Sequence, residues 1–363
     1  MRVLGIMSGT SLDSVDYAVC EIASASEIRF VEHWSVAFPK VLKERLHRAA
    51  RNEATTYEVG DLHHDLGRFY AKGARKARVE LAGLHGQTVF HSPGKATLQI
   101  GEAAYLAEEL RVPVVSNFRA ADIAAGGQGA PLATIFHRHV FARKGEHVAV
   151  NNLGGISNVT SLDWRSGSEP RVLAFDTGPA NVLVDMAARH FFKKPFDRNG
   201  AFARRGSVSE RHLNTWLKQR YFWLPPPKST GRELFGEPFF KEALKLKLAP
   251  KDLMATLTEL TARSIALNYR AHLRTIPRTV ILAGGGSKNK FLVERITAAL
   301  REVDAKVRVQ TTAQYGWDPQ VIEASAFALL AWLTWHKEPG NIPGTTGAKG
   351  PRVLGQVTST VCS

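Results

Sequence analysis

The sequence predicts a two-domain α/β protein, and three features of the chain lead to this prediction. A strand-turn-strand unit, LGIMSGTSLDSVDYAVCEI, occupies residues 4–22 and has alternating apolar residues on both sides of a turn of small polar residues. A similar unit, HVAVNNLGGISNVTSL, occupies residues 147–162. A further strand, within TVILAGGG at residues 279–286, runs into three glycines. With 363 residues, the chain is long enough for two domains.

Composition and charge limit the partners that we expect. The formal net charge is +15, from 48 Lys and Arg against 33 Asp and Glu, which favours anionic partners such as nucleotides. The surplus is dispersed and no nucleic-acid-binding motif accompanies it, so we expect no nucleic-acid partner. The longest apolar run, residues 324–335, is too short to span a bilayer, so we expect no membrane partner. Two distant cysteines, Cys20 and Cys362, and an N-terminus unlike a signal peptide predict a cytoplasmic location.

The first part of the chain predicts a domain that begins with a three-stranded meander. The elements expected after the opening unit are a strand at 28–38, helices around 41–50, 56–78 and 102–110, and a strand at 114–116. A glycine cluster at residues 126–129 interrupts regular structure, and the composition changes there. We therefore place one domain at residues 1–125 plus 345–363 and the second at residues 126–344.

The second part of the chain predicts a buried strand at residues 172–175 that ends in Asp176, and a helix that begins near Pro179. Further expected elements are helices around 207–219, 239–247 and 253–273, a helix that begins near Lys288, an apolar helix within 314–335, and a short strand at 353–357.

Small and polar residues at the turns and strand ends are the candidate site residues. The first turn exposes backbone N–H groups and hydroxyls that can hold a phosphate, and Asp13 can hold a cation through water; the alternative is an ordinary hairpin. His85 and Gln87 follow a short apolar segment, where ligands bind outside the carboxyl end of a strand. Arg119 is a candidate ligand for a polar substrate, and a surface ion pair is its alternative. Asp176 precedes a helix, and a helix N-cap is its alternative.

The motifs exclude two common nucleotide-binding folds. Neither G-x-x-x-x-G-K-[ST] nor a strand-linked G-x-G-x-x-G is present. Two units with small-residue turns, an acidic strand end and a late glycine triplet resemble instead the actin-like ATPase fold of sugar kinases, Hsp70 and actin. In that fold two related α/β halves hold ATP and substrate in the interdomain cleft, with the two turns facing the phosphates.

Eight successive blocks resemble those of the anhydro-N-acetylmuramic acid kinase family, in the family's order and over nearly the whole chain. They are GIMSGTSLDSVD, HGQTVFH with TLQIGE, NFRAADIAAGGQGAPL, NNLGGISN, FDTGPANVLVD, PPPKSTGRELF, LAGGGSKN and PQVIEASAFALLA. The resemblance implies a bacterial cytoplasmic phosphotransferase of peptidoglycan recycling and amino-sugar metabolism, with an alcohol group as acceptor. Such an enzyme converts 1,6-anhydro-N-acetylmuramic acid, ATP and water into N-acetylmuramic acid 6-phosphate and ADP. The resemblance also implies Mg²⁺ as a cofactor and a homodimer.

The resemblance assigns roles to individual residues. Asp176 matches the catalytic aspartate, which acts as general base for the attacking water. Glu323 matches an acidic residue near the sugar that helps to orient this water; a glutamate that solubilises its helix is the alternative. Asp13 helps to place Mg²⁺ through water. The residues implied to bind ATP and its phosphates are Gly9, Thr10, Ser11, Leu12, Asp13, Ser14, Val15, Asp16, Gly154, Gly155, Thr177, Gly178, Gly284, Gly285, Gly286 and Asn289. Those implied to bind the substrate are His85, Gln87, Thr88, Arg119, Asp122, Gln128 and Asn158.

Four positions depart from the family pattern. Ser14, Asn117, Ala180 and Gly236 stand where the family usually has Gly, Asp, Gly and Asn. None of these changes removes Asp176. Lys228 and Arg232, in the proline-rich segment at residues 225–236, are further candidates for binding an anionic group. Three alternative functions remain: a kinase of the same fold with another sugar or a hydroxy acid, a non-catalytic ATP-dependent scaffold, and a nucleic-acid binder.

Overall fold

A computed structural model describes residues 1–9 and 12–359 of the protein. The chain forms two compact units, of which unit 1 comprises Met1–Val140 and Val321–Ser363 and unit 2 comprises Phe141–Gln320. Each unit contains a mixed β-sheet with helices packed against it.

The N-terminal part of unit 1 contains the predicted elements in their order and adds a β-hairpin (β5 and β6) and the helices α4 and α5, which were not predicted. Its strands are β1 (Arg2–Ser8), β2 (Ser14–Ser24), β3 (Glu27–Ala37), β4 (Leu81–Leu84), β5 (Gln87–Ser92), β6 (Ala96–Ile100) and β7 (Val114–Ser116). Its helices are α1 (Lys40–Ala50), α2 (Thr56–Ala74), α3 (Ala103–Leu110), α4 (Ala120–Ala124) and α5 (Thr134–Phe141).

Unit 2 and the returning C-terminal part contain the remaining elements. The strands of unit 2 are β8 (His147–Leu153), β9 (Ile156–Asp163), β10 (Arg171–Pro179), β11 (Thr279–Ala283) and β12 (Arg308–Thr311). Its helices are α6 (Asn181–Phe192), α7 (Glu210–Leu217), α8 (Arg220–Trp223), α9 (Glu237–Lys245), α10 (Pro250–His272) and α11 (Lys290–Val303). The C-terminal part adds α12 (Ile322–Trp335), α13 (Pro343–Thr346) and β13 (Gln356–Thr358) to unit 1.

The two sheets share one topology. In unit 1 the strand order is β13-β7-β4-β1-β2-β3, and in unit 2 it is β10-β9-β8-β11-β12. In unit 1, β1 pairs antiparallel with β2 and parallel with β4; in unit 2, β8 pairs antiparallel with β9 and parallel with β11. In each unit the first three strands form an antiparallel meander. The parallel pairing continues from β4 to β7 and from β11 to β12. This duplication confirms the predicted fold class, a two-domain actin-like α/β fold.

The central strands of the unit 1 sheet, β1 and β4, are buried on both faces because helices cover each of them. Leu4 and Ile6 of β1 point to one face and pack in a cluster with Leu66 and Tyr70 of α2. Gly5 points to the other face, where it touches the backbone of α12. Apolar strands with little alternation in burial are the expected consequence of a sheet covered on both faces.

The domain boundaries differ from the predicted ones at 125/126 and 344/345. The glycine cluster does not separate the units, since Gly129 N–H donates to Asp122 and Gln128 N–H donates to the Thr346 carbonyl, all within unit 1. The apolar helix α12 also belongs to unit 1, because it packs on β1 and β4. Composition changes at residue 126, but the contacts that define the units continue to residue 140.

Two further expectations concern membranes and cysteines. No helix in the described part of the chain is long and apolar enough to cross a membrane. Cys20 is a free, buried thiol in β2, and burial raises its pKa to about 12. Cys362 lies outside the described residues.

The close packing of α12 on β1 predicts a large effect for Gly5→Ala. A Cβ at residue 5 would overlap the Ala324 carbonyl oxygen and lie 2.6 Å from the Ala328 nitrogen, so helix or strand must move. We expect a loss of about 2–3 kcal/mol in the free energy of unfolding, the upper range for overpacking. The measurement is the urea-unfolding midpoint.

The matched control is Gly60→Ala on α2, where a Cβ meets nothing within 4 Å. Alanine should stabilise this exposed helical position by about 0.5–1 kcal/mol. Equal unfolding midpoints for the two variants would contradict the packing of α12 on β1.

Candidate active site

A row of polar side chains crosses the sheet of unit 2. Asp176 on β10 lies opposite Asn158 on β9, and Asn158 lies opposite Asn152 on β8. Directly opposed residues of neighbouring strands project from the same face of a sheet, so these three side chains line one face together. The sequence prediction included Asp176 and Asn158 but missed Asn152, which the symmetric hairpin sequence NNLGGISN would have placed opposite Asn158.

The prediction that the strand ends before Asp176 is wrong, because β10 continues to Pro179. The ladder has a bulge between Asp176 and Gly178, which leaves Thr177 without an opposite residue. Helix α6 begins after Ala180, and no side chain caps it. The N-cap alternative for Asp176 is therefore excluded.

Asp176 is held by the chain that follows α7. Its Oδ2 accepts a hydrogen bond from the Thr230 N–H at 2.9 Å, and its own N–H donates to the Lys228 carbonyl at 3.1 Å. The Tyr221 hydroxyl donates to the Asp176 carbonyl at 2.8 Å. The carboxylate oxygen Oδ1 accepts no hydrogen bond from a described residue, and the buried Thr230 hydroxyl also lacks a described partner. One oxygen is thus fixed and the other is available to a ligand.

The electrostatic setting suits Asp176 to act as a base. Burial raises the pKa of its carboxyl to about 6, against the Thr230 N–H, which lowers it, while the nearby Glu233 carboxylate adds to the rise. A carboxylate with this pKa is ionised at neutral pH and is a stronger proton acceptor than an ordinary aspartate.

The second turn directs its carbonyls at the start of α6. The Gly154 carbonyl accepts the Asn181 N–H at 3.0 Å, and the Gly155 carbonyl accepts the Ala180 N–H at 2.9 Å. These bonds fix the turn against the beginning of α6. Gly178 is buried with φ of +131°, and a Cβ there would lie 2.7 Å from the Phe222 ring, so glycine is required.

Thr177, predicted to bind the nucleotide, has an interior side chain. It is fully buried, and its hydroxyl donates to the Ser157 hydroxyl at 2.6 Å. Asn151 donates to the same Ser157 oxygen at 2.8 Å. The Thr177 side chain thus lies on the interior face and stabilises the sheet, so only its backbone is left to contact a nucleotide.

The glycine triplet is divided between packing and exposure. Gly284, with φ of +75°, and Gly286 lie against Leu153, and a side chain on either would overlap its neighbours. Gly285 has nothing within 4 Å of a Cβ position and is open to solvent. Asn289, predicted to bind the nucleotide, instead caps α11 by accepting the Leu292 N–H at 3.2 Å.

The first turn is only partly described, since Thr10 and Ser11 lie outside the described residues. The Leu12 N–H donates to the Gly9 carbonyl at 3.2 Å, and Leu12 adopts φ of +57°. The side chains of Leu12 and Val15 are buried in the core of unit 1, so only their backbone can contact a nucleotide. Ser14 has a negative φ, which lets a side chain replace the family's glycine.

Two carboxylates follow this turn. Asp13 is 73% exposed and pairs with Lys43 at 2.8 Å, while Asp16 accepts the Ser35 hydroxyl. In the described part of the chain, His, Cys, Asp and Glu form no cluster of three or more that would hold a metal. A hard cation here would thus depend on phosphate and water oxygens, with Asp13 as a ligand through water.

Unit 1 joins His85 and Arg119 in a buried pair. Arg119 Nη2 donates to His85 Nε2 at 2.8 Å, and Nη1 donates to the Gly129 carbonyl at 2.7 Å. Because Nε2 accepts, the imidazole is neutral and carries its proton on Nδ1. Burial and the Arg119 charge lower the pKa of His85 well below its ordinary value. These partners exclude the surface ion-pair alternative for Arg119.

Several polar atoms near this pair lack partners. His85 Nδ1, Gln87 Oε1 and Arg119 Nε are buried and form no hydrogen bond with a described residue. Burial lowers the pKa of Arg119 to about 10, and Glu323 opposes this. Buried polar atoms without partners are uncommon, and a bound ligand or water is one explanation.

Two further predicted substrate ligands, Asp122 and Thr88, make hydrogen bonds within unit 1. Asp122 is fully buried, and its two oxygens accept three hydrogen bonds, from Gly129 N–H, Asn341 and Thr346. It therefore positions the loop below Arg119 and has no surface for a substrate. The Thr88 hydroxyl accepts from Gln99 at 3.2 Å.

Glu323 lies in the first turn of α12 and is exposed. Desolvation of the Glu323 carboxyl and the charge of Asp16 raise its pKa, while the charge of Arg119 lowers it. Both the role in the site and the solubilising alternative are compatible with this position.

Comparison with known proteins identifies relatives over the full length of the chain. A family model described as anhydro-N-acetylmuramic acid kinase matches residues 1–360. The chain is 42% identical over 372 residues to the anhydro-N-acetylmuramic acid kinase of Idiomarina loihiensis, covering 98% of both chains. It is 41% identical over 377 residues to that of Gloeobacter violaceus, covering 98% of this chain and 97% of the relative.

Solved structures show a distant likeness. The activator of the 2-hydroxyisocaproyl-CoA dehydratase from Clostridium difficile has a TM-score of 0.46 at 15% identity, covering 92% of this chain and 94% of that one. A ROK family glucokinase from Streptomyces griseus has a TM-score of 0.41 at 12% identity, covering 92% and 99%. Likeness of this degree carries no argument about activity.

The buried position of Thr177 predicts a structural effect for Thr177→Val. The change removes the hydroxyl that donates to Ser157 and keeps the shape, so we expect a loss of about 1–2 kcal/mol in the free energy of unfolding. The KM for ATP should stay within about twofold, because the substitution removes no contact with the nucleotide. Thermal unfolding and steady-state kinetics measure the two effects. A large rise in the KM for ATP with unchanged stability would restore Thr177 as a nucleotide ligand.

Proposed function

The chain belongs to the anhydro-N-acetylmuramic acid kinase family, and from this premise we propose the reaction that it catalyses and the residues that carry it. The γ-phosphoryl group of ATP is transferred to O6 of 1,6-anhydro-N-acetylmuramic acid, while water opens the anhydro bridge. The products are N-acetylmuramic acid 6-phosphate and ADP. The enzyme works in the cytoplasm in peptidoglycan recycling, and its assembly is a homodimer.

One observation carries the assignment of the base. Asp176 has one oxygen fixed by the Thr230 N–H and one oxygen without a described partner, on a carboxyl whose pKa is raised to about 6 by burial. A general base must accept a proton through a free lone pair while its orientation is held, and Asp176 meets both conditions.

The reaction balances with a single base. The water oxygen bonds to the anomeric carbon as the bond from that carbon to O6 breaks, and the water proton passes to Asp176 Oδ1. O6 bonds to the γ-phosphorus as its bond to the β–γ bridging oxygen breaks, so ADP leaves. O6 carries no proton in this substrate, and the base therefore acts on water, as in inverting glycoside hydrolysis.

The substrate is bound by the buried polar atoms of unit 1. Arg119 supplies a positive charge for the lactyl carboxylate, and its unpartnered Nε remains available for a second hydrogen bond. His85 Nδ1–H is a donor and Gln87 Oε1 an acceptor, which suit the hydroxyl and acetamido groups of an amino sugar. Glu323 orients the attacking water or a sugar hydroxyl. Gln128 adds a polar side chain beside Arg119 from the glycine cluster.

ATP is bound through backbone more than through side chains. The turn at residues 9–16 and the turn at Gly154 and Gly155 supply backbone N–H groups to the phosphates, and Gly285 leaves space for the nucleoside. Asp13 would hold Mg²⁺ through water, and its exposed pair with Lys43 costs little to exchange. The bound ion would supply positive charge against the phosphates.

Solvent incorporation tests the reaction itself. In ¹⁸O-labelled water, with ATP and the anhydro sugar, the product should gain one phosphoryl group and one labelled oxygen at the anomeric carbon. Mass spectrometry of the sugar phosphate measures both. Phosphorylation without the gain of a water would refute the hydrolytic reaction and favour an ordinary sugar kinase.

Removal of the base tests Asp176. Asp176→Asn should lower kcat by about 10²–10⁴-fold, the usual contribution of general-base catalysis, and leave the dissociation constant of ATP nearly unchanged. In the unchanged enzyme, kcat/KM should fall below pH 6, since the carboxyl whose pKa is about 6 becomes protonated there.

Glu233→Gln is the matched control for the pH dependence. The Glu233 charge raises the pKa of Asp176, so its removal should move the acid limb to lower pH and retain activity. If the acid limb of kcat/KM stays at the same pH in Glu233→Gln, or if Asp176→Asn keeps near-normal turnover, another group is the base.

A further inference from the structure

We propose that Lys228 is the positioning residue for Asp176. The segment at residues 221–230 holds Asp176, and the Lys228 amine bonds the end of this segment to its start. This inference rests on the proposed role of Asp176 as the base and assigns the group that keeps this base in place. The sequence made Lys228 a candidate for binding an anionic group of the substrate. Its amine instead donates to two carbonyls within unit 2.

The Lys228 amine makes three polar contacts inside unit 2. Nζ donates to the Tyr221 carbonyl at 3.2 Å and to the Phe222 carbonyl at 3.1 Å. It also lies 3.2 Å from His272 Nε2 on α10, which itself lies 3.1 Å from the Phe222 carbonyl. Two carbonyl oxygens therefore accept from the ammonium and hold it at the start of the segment. Nζ also lies 5.1 Å from the Tyr221 ring centroid and 5.7 Å from that of Phe175, the neighbour of Asp176.

The contacts of Asp176 beyond its own sheet end on the same segment. Its N–H donates to the carbonyl of Lys228 itself, and its carbonyl accepts from the Tyr221 hydroxyl. Its Oδ2 accepts from the N–H of Thr230, two residues after Lys228. The Lys228 amine bonds the end of this segment to its start, and His272 of α10 contacts both the amine and the Phe222 carbonyl. Loss of the amine therefore loosens all three contacts at once.

The Lys228 amine carries its charge among several titratable groups. Burial lowers the pKa of Lys228 to about 8, so the amine is largely protonated at neutral pH. The titratable groups around the segment are His272 of α10, Tyr221 of α8, Asp176 of β10 and Glu233. Burial lowers the pKa of His272, the hydrogen bond to the Phe222 carbonyl raises it, and the Lys228 charge lowers it.

The test is Lys228→Met, which keeps the length of the side chain and removes its donors. We expect kcat to fall about 10–100-fold, the effect of a misplaced catalytic group, with the KM for ATP nearly unchanged. The acid limb of kcat/KM should move above pH 6, because Asp176 loses the Thr230 N–H that lowers its pKa. A purely structural role would change the melting temperature without moving this limb.

Chemical rescue separates the amine from other effects of the substitution. K228C treated with 2-bromoethylamine regains an ammonium at nearly the original length, and should regain most of the lost kcat and the original acid limb. The unmodified enzyme receives the same treatment to account for its native cysteines. Lys241→Met is the matched control, since this lysine of α9 is 66% exposed and pairs with Glu237 on the surface. It should change neither kinetics nor the acid limb.

The outcomes distinguish this inference from the proposed function. An inactive Asp176→Asn together with a Lys228→Met enzyme of unchanged kcat and acid limb overturns the positioning role alone. An active Asp176→Asn overturns the base assignment itself. If Lys228→Met fails to fold, Tyr221→Phe removes the hydroxyl that reaches the Asp176 carbonyl. A fall in kcat with an unchanged KM for ATP in that variant supports the inference, and unchanged kinetics overturn it.

Discussion

The orientation of one carboxylate depends on a loop and not on the strand that carries it. At the bulge of β10, the regular ladder stops supporting Asp176, and contacts from residues 45 to 54 positions further along the chain replace it. The same loop excludes water from the carboxyl, which raises its pKa, and supplies the one N–H that limits the rise. Position and basicity of the group are therefore two results of one packing arrangement.

The two units use the same sheet topology for different purposes. Unit 2 presents Asp176 from the third strand of its meander, and unit 1 presents His85 just beyond its fourth strand, β4. In unit 1 a buried carboxylate does the structural work, since Asp122 gathers Gly129, Asn341 and Thr346 around itself. That cluster fixes the Gly129 carbonyl, which in turn holds the Arg119 guanidinium. Asp122, a buried carboxylate that accepts three hydrogen bonds, thus fixes the Arg119 side chain through the Gly129 carbonyl without contacting a ligand itself.

Local patterns predicted the hairpins and Asp176, because alternation of apolar residues and strand-end chemistry operate over a few residues. Contacts between distant residues were beyond such patterns. Nothing near residue 176 indicates that Tyr221 and Thr230 will hold it. The bulge after Asp176 could not be predicted either, because period-2 alternation gives no sign of a residue without an opposite partner. The role of Asn289 as a helix cap could have been predicted, since an Asn just before an amphipathic helix is a common N-cap.

The position of β10 at the edge of its sheet has a consequence for solubility. An edge strand exposes unpaired N–H and C=O groups that can recruit a strand from another molecule. At Asp176 the Lys228 carbonyl and the Tyr221 hydroxyl occupy both of these groups. The loop that holds the carboxylate thereby also blocks intermolecular β-pairing at this residue of the edge strand.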